Sequence, residues 1–165
     1  MKNYIVLAVS LLIFSCASLP KYSFGEGEIP GQTFSIESFT NVASLINPNL
    51  AIFMQNSLQE KFANESNLKF IQGTGDAVFK GVITRYSITP VQGTGDEKVA
   101  LNRLTIDIKA SYLNSVNDSQ NFEEIISYAD DFESTKDFSS IEEELMKSIS
   151  KKIIDEIYQR TMSEW

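Results

Sequence analysis

Histidine is missing from all 165 residues. That removes His-based triads, imidazole metal sites and the commonest general base in one step. Cysteine occurs once, at Cys16, so no disulfide can form within the chain. Basic charge is short: 14 Lys and Arg stand against 22 Asp and Glu, a formal net charge of −8. An acidic chain of this kind is a poor match for nucleic acid, whose phosphates call for a basic footprint. Long hydrophobic runs are lacking too. Residues 4–14 form an apolar run of about eleven, and a membrane-spanning helix needs roughly twenty. Asp130 and Asp131 sit in no DxDxDG-type loop, so Ca²⁺ binding is not indicated, and no metal site is expected. Gln-Gly-Thr-Gly-Asp occurs at 72–76 and again at 92–96. A phosphate-cradling loop needs a helix after it, whereas strands follow here, so both copies read as turns.

What is present begins with a secretory pattern. Lys2 supplies a positive start, residues 4–14 the apolar run, and small residues follow. Ile13-Phe14-Ser15-Cys16 resembles a bacterial lipobox, with Phe14 bulkier than the usual occupant. Residues 1–15 are therefore expected to be a lipoprotein signal peptide, with Cys16 the lipidation site. The alternative is ordinary cleavage that leaves a free thiol. Residues 16–31 read as a lipidated tether, holding Pro20, Gly25, Gly27, Pro30 and Gly31 without periodicity. Residues 32–165 read as a single domain, large enough for a real core.

Two long strands organise that domain, over 77–91 and 99–113. In the second, Leu104, Ile106, Ile108, Ala110 and Tyr112 share one face, while Arg103, Thr105, Asp107, Lys109 and Ser111 share the other. That is the period-2 pattern of a sheet buried on one side. The first strand changes phase: Ala77, Phe79, Gly81 and Ile83 are in step, then Tyr86, Ile88 and Pro90. A one-residue slip exchanges faces, so a β-bulge is expected near Thr84 and Arg85. A short strand is expected over 33–39, where Phe39 breaks the alternation, and a third hairpin strand over 122–130.

The first helix is expected to open at Asn47-Pro48 and run to about Asn64, with Leu50, Phe53, Met54, Leu58 and Phe62 on its apolar stripe. The last helix is expected from Ser139 or Ser140, each three residues ahead of a glutamate in a capping-box pattern. Its core stripe reads Ile141, Leu145, Ile149, Ile153 and Ile157, widened by Ile154, Tyr158, Met162 and Trp165. The order β-α-β-β-β-α then predicts an α+β two-layer sandwich. It is a four-stranded mixed sheet whose first two strands run parallel, with both helices on one face.

On the face without helices, Lys80, Arg85, Arg103 and Lys109 come together, with Val78 and Val82 among them and Asp107 the one acid expected. Three readings of this locally basic strip stay open. It can be a solvated surface that discourages edge pairing, a contact with a partner protein, or a contact with a ligand that offers phosphates beside apolar chains.

A family likeness rests on stretches spread over the mature chain. They are Asn47-Pro48-Asn49-Leu50, Gly81-Val82-Ile83, Tyr86-Ser87-Ile88-Thr89-Pro90-Val91, Ala100-Leu101-Asn102-Arg103-Leu104-Thr105-Ile106, Tyr128-Ala129-Asp130, Glu143-Glu144-Leu145 and Trp165. In these the chain resembles the LptE family, the lipoprotein subunits of the outer-membrane lipopolysaccharide translocon. The resemblance implies a non-enzymatic subunit with no catalytic residues and no cofactor. It implies a β-barrel partner, LptD, which the lipoprotein helps to assemble and plugs, and a contact with lipopolysaccharide. It implies an outer-membrane lipoprotein anchored through fatty acyl chains such as palmitate. Ala17 in place of Asp after the cysteine suits the outer membrane, and the lack of an acidic run in 17–22 favours the periplasmic side. The competing reading is an unrelated periplasm-facing lipoprotein that binds a ligand or protein through the same architecture. A hydrolase has no paired carboxylates in a telling context behind it.

Overall fold

The computed structural model describes residues 28–92 and 100–163. Two long strands, β4 (Ala77–Gln92) and β5 (Ala100–Asn114), form its axis, and β6 (Phe122–Glu133) completes the antiparallel meander after a 3-10 turn at Asp118–Gln120. The turn expected at 92–96 lies outside the described residues except for Gln92. The bulge is where the phase change puts it: Ile83 pairs with Ile108 and Arg85 with Asp107, leaving Thr84 without a partner.

The sheet has six strands, not the four expected, in the order β3-β1-β4-β5-β6 with β2 also on β4. Here β1 is Thr33–Ile36, β2 is Thr40–Asn41 and β3 is Lys69–Phe70. Both β1 and β2 run parallel to β4 along one edge. Ile36 aligns with Phe79 and Thr40 with Val82, so four steps along the edge oppose three on β4. Phe39 absorbs the extra residue by turning inward, where it is buried. Its ring lies over Gly81, and a Cβ at that glycine would come within 2.6 Å of it. The third addition, β3, runs parallel outside β1. Strands of two residues carry too little alternation to show that they join the sheet, so their pairing decides it.

Helix α1 (Leu50–Glu65) follows β2, and α2 (Phe138–Met162) closes the chain. Both cover the face that carries Ala77, Phe79, Ile83, Leu104, Ile106 and Ile108. An aromatic chain joins the layers. Phe62 of α1 packs tilted against Phe79 at 4.4 Å between centroids, Phe79 against Tyr112 at 5.0 Å, and Tyr158 of α2 edge-on against Phe62 at 5.2 Å. Helix α1 starts two residues later than expected: Asn49 is its N-cap, without a side-chain cap bond, and Asn47 Oδ1 accepts from the Asn49 N–H in the turn just ahead of it. The start of α2 differs from the expected capping boxes. Asp137 is the N-cap, and the Ser139 and Ser140 hydroxyls donate back to Asp137. Glu142, freed from capping, instead accepts from the Asn47 amide at 2.7 Å and the Tyr86 hydroxyl at 2.6 Å, tying both helix starts to the sheet. Burial, reinforced by that carboxylate, pushes the Tyr86 hydroxyl well above its ordinary pKa.

The first Gln-Gly-Thr-Gly-Asp copy is a turn with a defined task. Gly73 takes a positive φ of 104°, which favours glycine. Gly75 passes so close to β1 that a Cβ would lie 2.8 Å from the Phe34 backbone. Asp76 then accepts from the Gln32 N–H at 2.9 Å, the Thr33 N–H at 3.1 Å and the Thr33 hydroxyl at 2.9 Å. These bonds, the Gln32 N–H first among them, hold its carboxyl below the usual range. A depressed folded-state pKa means stabilisation that is complete above the unfolded-state pKa and lost as pH falls through the folded one. Denaturant melts from about pH 5 downward are therefore expected to show wild type losing more stability than Asp76→Asn. Parallel pH profiles for the two proteins would refute the clamp.

Candidate functional site

The face opposite the helices is built from alternate residues of the meander. On β5 these are Arg103, Thr105, Asp107, Lys109 and Ser111, and on β4 Val78, Lys80 and Val82 before the bulge and Arg85 after it. The bulge restores the phase, which is why Lys80 and Arg85 point the same way despite their odd spacing. All four expected cations thus share the open face.

Their electrostatic setting differs from the expected basic strip. Each cation has a carboxylate of its own. Lys80 pairs with Glu37 at 2.9 Å, just past β1. Arg85 pairs with Asp107 at 3.2 Å, and Lys109 with Glu123 of β6 at 2.6 Å. Arg103 grips Asp131 of β6 with two bonds, of 2.6 and 2.9 Å. Asp107 is therefore one acid of four. Hydrogen bonds from Arg103 hold the Asp131 carboxyl below its usual range, and those from Lys109 and then Ser111 do the same for Glu123. The sequence did carry a signal for these acids. With Phe122, Ile126 and Tyr128 on the covered face of β6, Glu123 and Asp131 must lie on the other.

The pairs are not equivalent. Arg103 is 47 % exposed and its partner 36 %, so water competes for both. The Asp107 side chain is only 10 % exposed, and it also accepts from the Ser127 hydroxyl at 2.6 Å. Beside Lys80, a shallow depression of about 350 Å³ is lined by Ser111, Leu113, Asn121, Phe122 and Glu123. Leu113 is 46 % exposed there, which sets an apolar contact in the same depression as Lys80. Chemically the face offers guanidinium and ammonium groups in exchangeable ion pairs, interleaved with Val78, Val82, Leu113 and Ile125.

A second concavity of about 400 Å³ runs between the helices over Phe53 and Ile154. Both signs of charge line it, and Lys61 bridges Glu65 and Asp155 across it. Among the described residues no cluster of three or more Cys, Asp or Glu side chains is arranged to hold a metal ion. Among them, too, no helix is long and apolar enough to cross a membrane. Cys16 lies outside the described residues.

Comparison with known proteins adds the following. A family model described as LptE, lipopolysaccharide-assembly, matches residues 31–161. No curated protein matches the sequence. Among solved structures, an uncharacterized lipoprotein B from Nitrosomonas europaea superposes with a TM-score of 0.57 at 14 % identity, covering 87 % of this chain and 91 % of that one. A hypothetical protein from Chlamydia trachomatis gives 0.52 at 8 % identity, covering 81 % and 99 %. A putative neuraminyllactose-binding hemagglutinin homolog from Helicobacter pylori gives 0.51 at 12 %, covering 86 % and 88 %. At these identities the structures share the fold.

Proposed function

We infer the function from one premise: the chain belongs to the LptE lipopolysaccharide-assembly family. Its role is that of a non-enzymatic outer-membrane lipoprotein related to LptE. The observation that carries this is the extent of the match, which runs through the folded domain from before β1 to the last turn of α2.

The finer reading is that Cys16 is acylated, that the domain faces the periplasm, and that it assembles with and plugs a large LptD-type β-barrel. Stable anchoring takes more than one acyl chain, and an acidic domain brings no polybasic patch to substitute for it. Cys16→Ala is expected to abolish incorporation of a clickable fatty acid. Label persisting on that variant would exclude Cys16 as the site.

In the same reading, the open face meets lipopolysaccharide through Lys80, Arg85, Arg103 and Lys109. Exposed ion pairs are each worth about 0–1 kcal/mol, so a phosphate can displace a surface carboxylate at little cost. Arginine holds a phosphate with two parallel hydrogen bonds, and Val78, Val82 and Leu113 offer apolar surface beside it. The test is the double variant Arg85→Gln, Arg103→Gln. Glutamine at 85 can still donate to Asp107, which protects that largely buried carboxylate. Loss of two charge-assisted contacts is expected to weaken binding of purified lipopolysaccharide roughly tenfold or more, with a melting temperature near that of wild type. Unchanged lipid binding would remove this face as the lipid site. Loss of barrel co-purification with lipid binding intact would assign it to the protein interface instead.

A further inference from the structure

The exposed apolar side chains are not scattered evenly. Phe70, Leu113, Val116 and Ile125 are spread over three separate segments, whereas Val42, Leu45, Ile46 and Ile52 are 65, 48, 61 and 64 % exposed in one short stretch. Residues 38–59 hold no Asp, Glu, Lys or Arg. In a chain that is 22 % charged, this is the longest span among the described residues with no ion to keep it hydrated. The span makes one corner of the sandwich. The Val42 N–H bonds to the Ile83 carbonyl on the sheet edge, and the Gln55 side chain accepts from the Phe39 N–H, drawing the outer flank of α1 to that edge. Several polar groups at the corner are engaged: Asn41 Oδ1 accepts from the Ala43 N–H, Asn47 Oδ1 from the Asn49 N–H, and the Asn47 amide donates to Glu142; the Asn41 Nδ2 has no partner but is already out of water. Removing such a surface from water costs little, because no unpaired ion is desolvated.

We propose that this uncharged corner is a second contact with the bilayer, in which Val42, Leu45, Ile46 and Ile52 enter the lipid interface. The proposal rests on the acyl anchor at Cys16. Residues 17–27 separate that cysteine from the first described residue. At about 3.3–3.6 Å per residue, they can span roughly 40 Å. The chain enters the fold where the Asn67 and Asn114 side chains hold the Ile29 and Pro30 carbonyls, beyond the C-terminal end of α1. The apolar corner is at the other end of that helix, about 24 Å away at 1.5 Å per residue. The tether is long enough for the anchored domain to lay that end on its own membrane. A net-acidic domain has no electrostatic pull toward anionic lipid, so an uncharged apolar corner is the part of its surface suited to lipid.

The experiment uses the mature acylated chain in phosphatidylethanolamine–phosphatidylglycerol vesicles, with Trp165→Phe removing the single native tryptophan. Ile46→Trp reports the corner, and Val116→Trp reports an equally exposed site near the tether end. Flotation first reads the anchor by itself. A chain that stays at the bottom overturns the acylation on which the proposal stands. With the chain afloat, shallow spin-labelled lipids are expected to quench Ile46→Trp roughly twofold more than Val116→Trp, with a blue-shifted emission, as for side chains about 5–10 Å into the interface. Equal quenching at both positions overturns the membrane contact. An unquenched Ile46→Trp that shifts blue only when the barrel partner is added also overturns it, and assigns the corner to protein.

Discussion

Phe79→Ala is expected to lower the stability of the domain by about 3–5 kcal/mol, the range for truncating a fully buried aromatic. Phe79 is 1 % exposed, near the start of β4. It touches Phe62 on α1 at 4.4 Å, Tyr112 on β5 at 5.0 Å and Phe34 on β1 at 6.4 Å between ring centroids. Truncation therefore opens a cavity where three elements meet, and none of its rigid aromatic neighbours can collapse into the space. Domains of this size are stable by roughly 5–15 kcal/mol, so the loss takes a large part of the total. Urea melts of the purified domain measure it. A loss under about 1 kcal/mol would mean that the aromatic chain does not bear the load assigned to it.

The second large effect separates two residues that look alike in the sequence. Ile149→Ala is expected to cost about 2–5 kcal/mol, and Leu145→Ala clearly less. Ile149 is fully buried, while Leu145, expected in the core, is only half-buried. The reason lies in helix geometry. Four residues advance an α-helix by about 400°, so a row at i, i+4 drifts roughly 40° per step. The row from Ile141 to Ile157 cannot keep one bearing over that length. Met146, Ser150 and Ile154, on the adjacent row, take the core positions that its early members leave. Thermal melts of the two variants are expected to differ by several degrees, and equal melting temperatures would place both side chains in the same environment.

Legibility in the sequence followed the length of each pattern. Fifteen or so residues of alternation made β4 and β5 plain, and the phase change between Ile83 and Tyr86 marked the bulge. The β2 and β3 strands, two residues each, are too short for alternation to mark them as members of the sheet, and they turned a four-stranded expectation into six. Phe39 was visible as a break, but its burial over Gly81 is a tertiary fact. The candidate face was legible as a set of cations and illegible as a charge balance. Lys80, Arg85, Arg103 and Lys109 follow from the two long strands alone. Their partners Glu123 and Asp131 come from β6 and Glu37 from the segment just past β1, whose register no local pattern sets.

The central claim is that this domain works as the lipoprotein partner of an outer-membrane barrel. Its most direct test is affinity purification of the tagged full-length chain from detergent-solubilised outer membranes, with the bound protein identified by mass spectrometry. The account predicts one large β-barrel protein in about equal amount, with heat-modifiable mobility on a gel and retained through high-salt washing. Recovery of the chain alone, or with a soluble periplasmic protein in the barrel's place, would contradict it.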